Sequence, residues 1–127
     1  MFQIIFNEIS AAEISQLPTM TQLAVLDQFK VSPNDLEKLD DAGDEEAPFG
    51  KIERDGKTLF RYRAEDVRIY FEVADTKEAV IVHRVMNKNT FQDFLYRASL
   101  PVSEDEQLSE SGPFWELIEE GERARRV

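Results

Sequence analysis

The sequence predicts an α+β domain: a mainly antiparallel meander sheet with N-terminal helices packed on one face, plus a C-terminal helical tail. Three observations carry that expectation. Apolar residues recur at helical spacing over the first third of the chain, the period drops to two between Phe49 and Met86, and helical spacing returns after Asn87. Inside the period-two region, Asp55-Gly56 has the composition of a two-residue hairpin, whose type I′ turn needs positive φ at both positions. The flanking helices then have a sheet to cover.

Residues 2–6 (FQIIF) suit a buried strand, and residues 8–16 make a turn or two of helix that must end before Pro18. A second helix follows, with Leu23, Leu26, Phe29 and Val31 recurring at helical spacing until Ser32-Pro33 stops it. Residues 34–39 add a further turn, capped by Ser32 or Asn34. The acidic stretch DDAGDEEAP, residues 40–48, carries Gly and Pro and reads as a solvated loop. Strands are expected at 49–54, 57–64, 67–74 and 79–86, joined by Asp55-Gly56, by the weaker turn Glu65-Asp66, and by residues 75–78. The strand at 79–86 is apolar on both faces, as a central strand requires. Phe91, Phe94, Leu95 and Ala98 then mark a helix that ends before Pro101. Residues 102–112 form a linker or a strap, and PFWELIEE begins a last amphipathic helix at Pro113.

With 127 residues the chain is sized for one core. No apolar run approaches the roughly eighteen residues of a membrane span, and the N-terminus lacks a secretory pattern. A cytoplasmic protein without a membrane partner is expected. Cysteine is absent and His83 is the only histidine, so a thiolate site, a cysteine nucleophile and a zinc site are not expected; no cofactor is implied. The net charge of −11 argues against nucleic-acid binding at first sight, but the charge is uneven. Residues 1–47 net −8, residues 48–98 net +2 and residues 99–127 net −5. A mildly basic centre is wrapped in acid.

That centre has a definite pattern. A two-residue hairpin at Glu65-Asp66 sets Arg63 opposite Arg68, Tyr62 opposite Ile69, Arg61 opposite Tyr70 and Phe60 opposite Phe71. Phe60, Tyr62, Ile69, Phe71 and Val73 then share an apolar face, while Arg61, Arg63, Arg68 and Tyr70 share the other. Like charges facing each other across a ladder are destabilising, so the pair Arg63–Arg68 calls for an anion. A phosphate would satisfy it, and so would an internal carboxylate from Glu72, Glu65, Asp66 or the 40–46 loop. His83 reads as a core or rim histidine more readily than as a general base, and no nucleophile with a partner stands out. Phe114 and Trp115 read as a hydrophobic anchor.

The block FGKIERDGKTLFRYRAEDVRIYFEV, followed by AVIVHRVMNKNTFQDF, resembles the C-terminal half of the RelE/ParE toxin superfamily. Those proteins carry a strand ending in R-x-R, a short loop, a strand beginning R-x-x-Y or similar, an apolar strand and then a basic residue. The opening FQIIFNEISAAEISQLP is similar to their first strand and helix, so the likeness spans residues 2–98 and leaves 99–127 as an acidic extension with a short helix. The resemblance implies a RelE-like toxin, a bacterial translational repressor that cleaves ribosome-bound mRNA without a metal and is held by an antitoxin protein. It implies that Arg61 and Arg68 grip and activate the phosphate and that Lys88 supports the leaving group, with Arg63, Arg84 and Tyr70 as further RNA- or anion-binding residues. Two positions depart from the pattern: Phe94 stands where the family has a catalytic tyrosine, and Leu59 where its strong nucleases have a basic residue. Tyr96 lies about 200° around a helix from Phe94 and does not replace it. The rival expectation is a catalytically inactive module of the same fold whose basic face takes an acidic peptide or its own tail. In that case Phe114, Trp115, Leu117 and Ile118 anchor the tail, and Glu104, Asp105, Glu106 and Glu110 mimic phosphate. In the plainer alternative Trp115 docks on the back of the sheet and the carboxylates face solvent.

Overall fold

The computed structural model describes residues 1–37, 39, 48–87 and 108–127. The chain runs β1 (Gln3–Phe6), α1 (Glu8–Ser15), α2 (Thr19–Gln28), α3 (Pro33–Glu37), β2 (Phe49–Arg54), β3 (Lys57–Ala64), β4 (Val67–Val73), β5 (Ala79–Asn87) and α4 (Gly112–Arg123). These strands form one sheet in the order β1-β5-β4-β3-β2. β1 pairs parallel to β5, and every other pairing is antiparallel. The expected helix of residues 88–98, with Lys88 and Phe94, lies outside the described residues, as do residues 40–47 and 99–107.

Local chemistry fixes most of these elements. Asn7 caps α1 by accepting from the Ser10 amide at 2.7 Å, while the Ser10 hydroxyl accepts from the Asn7 amide at 3.0 Å, a reciprocal capping box. Ser32 precedes α3 and donates both its amide and its hydroxyl to Asp35 Oδ2 at 2.9 Å. The Asp55-Gly56 turn has φ of 52° and 80°, the left-handed geometry its hairpin requires. α2 ends at Gln28, earlier than the Ser32-Pro33 stop suggests, and its buried face is not the Leu23–Leu26 stripe. Val25 is buried, whereas Leu23 and Leu26 are exposed. Phe29 and Val31 reach the core from the chain beyond the helix.

Both faces of the sheet are covered. On one, Ile14, Val25, Phe29 and Val31 pack on Tyr62, Ile69, Phe71, Val80, Val82 and Val85. Phe29 lies 5.2 Å from Tyr62 and 5.5 Å from Phe71, ring centre to ring centre, as tilted and edge-on pairs. On the other, Leu108, Phe114, Trp115 and Ile118 pack on Ile52, Leu59, Tyr70 and Met86. The end of the chain is stitched to its beginning: the Glu8 amide donates to the Arg125 carbonyl at 2.7 Å and the Val127 amide to the Phe6 carbonyl at 3.0 Å.

Candidate functional site

The β3–β4 hairpin carries the candidate residues, and its register is Phe60↔Phe71, Arg61↔Tyr70, Tyr62↔Ile69, Arg63↔Arg68 and Ala64↔Val67. Strand alternation therefore puts Arg61, Arg63, Arg68 and Tyr70 on one face, with Phe60, Tyr62, Ile69 and Phe71 on the other, as the sequence predicts. The surroundings of that face differ from the expected open basic groove. Arg61 is 1% exposed, Arg68 is 4% exposed and Tyr70 is fully buried. The C-terminal segment covers Tyr70: Tyr70 meets Phe114 edge-on at 5.0 Å, Phe114 meets Trp115 at 5.6 Å, and the indole Nε1–H donates to the Ser109 carbonyl at 2.9 Å. Trp115 docks on the arginine side of the sheet, not on its back.

Buried guanidinium groups must be hydrogen-bonded, and backbone carbonyls supply part of this. Arg68 Nη1 donates to the Glu65 carbonyl at 2.9 Å and the Val67 carbonyl at 3.3 Å, bracing the turn it follows. Arg61 Nη1 donates to the Pro48 carbonyl at 3.3 Å. Half-buried Arg63 has an Nε with no hydrogen-bond partner among the described residues. Arg84 does bind anions, but they are internal. Its Nε and Nη2 fork the Glu13 carboxylate at 2.9–3.2 Å, and its Nη1 donates to Glu120 at 3.3 Å and the Leu117 carbonyl at 3.1 Å. Arg84 thereby joins α1 to α4. Lys88 is outside the described residues, so the structure brings together Arg61, Arg63, Arg68 and Tyr70 and sets Arg84 to another task.

A second polar cluster went unseen in the sequence. His83 follows Ile81, which lies opposite Glu72, onto the arginine-bearing face, and the bulge between Val82, opposite Phe71, and Arg84, opposite Tyr70, brings Arg84 and Met86 to that face as well. His83 Nε2 meets Glu72 Oε2 at 3.0 Å, and Glu122 of α4 closes the group with ligand atoms within 4.8 Å of one another. Lys57 ion-pairs with Glu122. Burial pushes the His83 imidazole below its ordinary 6.5, with Glu72 opposing and Lys57 and Arg126 reinforcing, so the ring is neutral at neutral pH. Gly121 makes this approach feasible, because a Cβ there would stand 2.3 Å from the His83 carbonyl oxygen. The signal was divided among a strand, a bulge and a distant helix. On the opposite face, burial and Asp35 raise the Tyr62 phenol above the ordinary range of a tyrosine, and its hydroxyl donates to the Gln28 carbonyl at 3.2 Å, so it serves packing.

No protein-family model matches the chain, and no curated protein sequence matches it. Solved structures do. The RelBE2 toxin–antitoxin complex of Mycobacterium tuberculosis contains a chain aligned at a TM-score of 0.51 and 17% identity, covering 68% of this chain and 96% of that one. A RelE–RelB complex of the archaeon Pyrococcus horikoshii aligns at a TM-score of 0.48 and 17% identity over 68% of this chain and 94% of that one. The fold is RelE-like. Among the described residues, no helix is long and apolar enough to cross a membrane.

Proposed function

We propose that this chain is the toxin component of a RelE-like toxin–antitoxin pair, a translational repressor that acts on ribosome-bound mRNA through the arginine side of the β3–β4 hairpin. The observation that carries the reading is the convergence of Arg61, Arg63 and Arg68 on one face of a RelE-like sheet. Three fixed cations around one phosphodiester stabilise the charge that grows as a ribose 2′-hydroxyl attacks, chemistry that proceeds without a metal. Arg61 and Arg68 hold and activate the phosphate, Lys88 supports the leaving oxygen, and Arg63 and Tyr70 are the further candidates for binding RNA, Arg84 being held by Glu13 and Glu120 instead. The burial of Arg61 and Arg68 adds a condition: RNA reaches them only once the covering of that face, to which α4 contributes at Tyr70, has opened. An antitoxin protein is the expected partner, as in the RelBE2 complex that shares the fold.

A second reading is favoured by that same burial and by Phe94 in place of a catalytic tyrosine. In it the chain is a catalytically inactive module of this fold, its arginines serving as internal braces beneath its own tail. Induced expression in a bacterial host, with growth recorded and mRNA ends mapped, separates the two. The toxin reading expects growth arrest and new mRNA ends, with Arg61→Ala and Arg68→Ala each lowering cleavage about tenfold or more while circular dichroism shows the fold retained. Cleavage unchanged in the folded double variant would refute the assigned roles. Normal growth with intact mRNA would favour the module.

A further inference from the structure

We infer that Glu72, His83 and Glu122 form a binding site for one divalent transition-metal ion of the zinc class, distinct from the arginine set. The three side chains come from β4, the β5 bulge and α4, and one ligand atom from each lies within 4.8 Å of the other two. The separation of His83 Nε2 from Glu72 Oε2, 3.0 Å, is close to the spacing of about 3.4 Å between two donors bound at about 2.0–2.1 Å to one tetrahedral ion. An imidazole nitrogen with two carboxylates selects zinc-class ions, whereas magnesium and calcium prefer oxygen donors throughout. Three protein donors leave a position for water.

The histidine is presented firmly. His83 is 5% exposed, and its Nδ1 is buried with no hydrogen-bond partner among the described residues, so the polar anchoring of its ring comes through Nε2, the atom that meets Glu72. Its backbone is fixed as well: Asn7 Nδ2 donates to the His83 carbonyl at 3.1 Å and to the Gly121 carbonyl at 2.8 Å. That double contact holds the strand against the helix that delivers Glu122. The carboxylates are more accessible, with side-chain exposures of 41% for Glu72 and 28% for Glu122, which leaves an entry path for the ion. Lys57, whose side chain is 34% exposed, already supplies a tethered positive charge to Glu122. A doubly charged ion takes over that role and releases the ammonium to water. Lys57 is thus a built-in competitor that weakens the site. By linking β4 and β5 to α4, a bound ion also fastens the helix over the arginine face.

The full-length chain, stripped with a chelator, is titrated with zinc by calorimetry and with cobalt(II) by visible absorption. One equivalent should bind, with ligand-field bands of a four- or five-coordinate ion, and magnesium should give no heat. Glu122→Gln and Glu72→Gln, both at accessible positions that leave folding intact, should each weaken zinc binding about tenfold or more. Lys57→Met should tighten it. No binding, binding that is indifferent to both glutamine variants, or a Lys57→Met chain with unchanged or weaker affinity would each overturn the assignment.

Discussion

Asn7 ties together three parts of the molecule with one side chain. Its Oδ1 caps α1, and its Nδ2 donates to the carbonyls of His83 and Gly121, residues 76 and 114 positions away. Asn7→Ala removes a helix cap, worth about 1 kcal/mol. It also leaves two buried carbonyls each short of one donor, so a total loss of about 2–3 kcal/mol is expected in urea unfolding. A loss under 0.5 kcal/mol would show that other donors replace it. None of this was legible in the sequence, where Asn7 is one polar residue before a helix and its partners are far along the chain. The arginines show the same division. Their common face follows from alternation, but their burial comes from tertiary packing that alternation cannot place.

At the scale of elements, the hairpins were legible because turn chemistry and pairing register constrain each other. A one-residue slip in β3–β4 would turn Phe60, Tyr62 and Ile69 away from α1 and α2. β5 resisted because both its faces are apolar, so no alternation marks the bulge at His83 that redirects Arg84 and Met86. α2 misled in its facing: its leucines lie on the exposed side and a single valine makes the buried contact, a choice made by tertiary packing. The second hairpin keeps a local conflict, since Glu65 sits at φ 55° without being glycine. Its backbone carbonyl, not its side chain, is what Arg68 uses. Glu65→Asn, which tolerates that conformation better, should therefore stabilise the protein by about 0.5–1 kcal/mol with the fold unchanged. A fall in melting temperature would mean that the carboxylate has a role in the turn.

At the scale of the whole molecule, the sheet separates an N-terminal apolar core from a second core built with the C-terminal helix, and the arginines lie on the side of the second. The C-terminal helix thereby helps to cover the charged face. Gly121→Ala tests this in the full chain, because the added methyl meets the His83 backbone and cannot be absorbed by a flexible neighbour. Helix docking should weaken by about 2–3 kcal/mol, and emission from Trp115, the only tryptophan, should shift to the red. If the arginine face binds phosphates once uncovered, affinity for single-stranded RNA should rise and fall more steeply with salt than for the parent. A red shift without tighter RNA binding would leave the arginines as internal braces.

The pairing of Phe6 and Glu8 with residues 125–127 also bears on the order in which the structure forms. Arg125 and Glu8 are 117 positions apart, so joining them costs more chain entropy than closing the β2–β3 or β3–β4 hairpin. The hairpins, whose partners are local, should form early, and the C-terminal helix should settle last onto a sheet that is already built. In a refolding experiment, circular dichroism would then recover ahead of Trp115 fluorescence. Between those two phases the chain would pass through a short-lived state with its strands paired and Tyr70 not yet covered by the C-terminal helix.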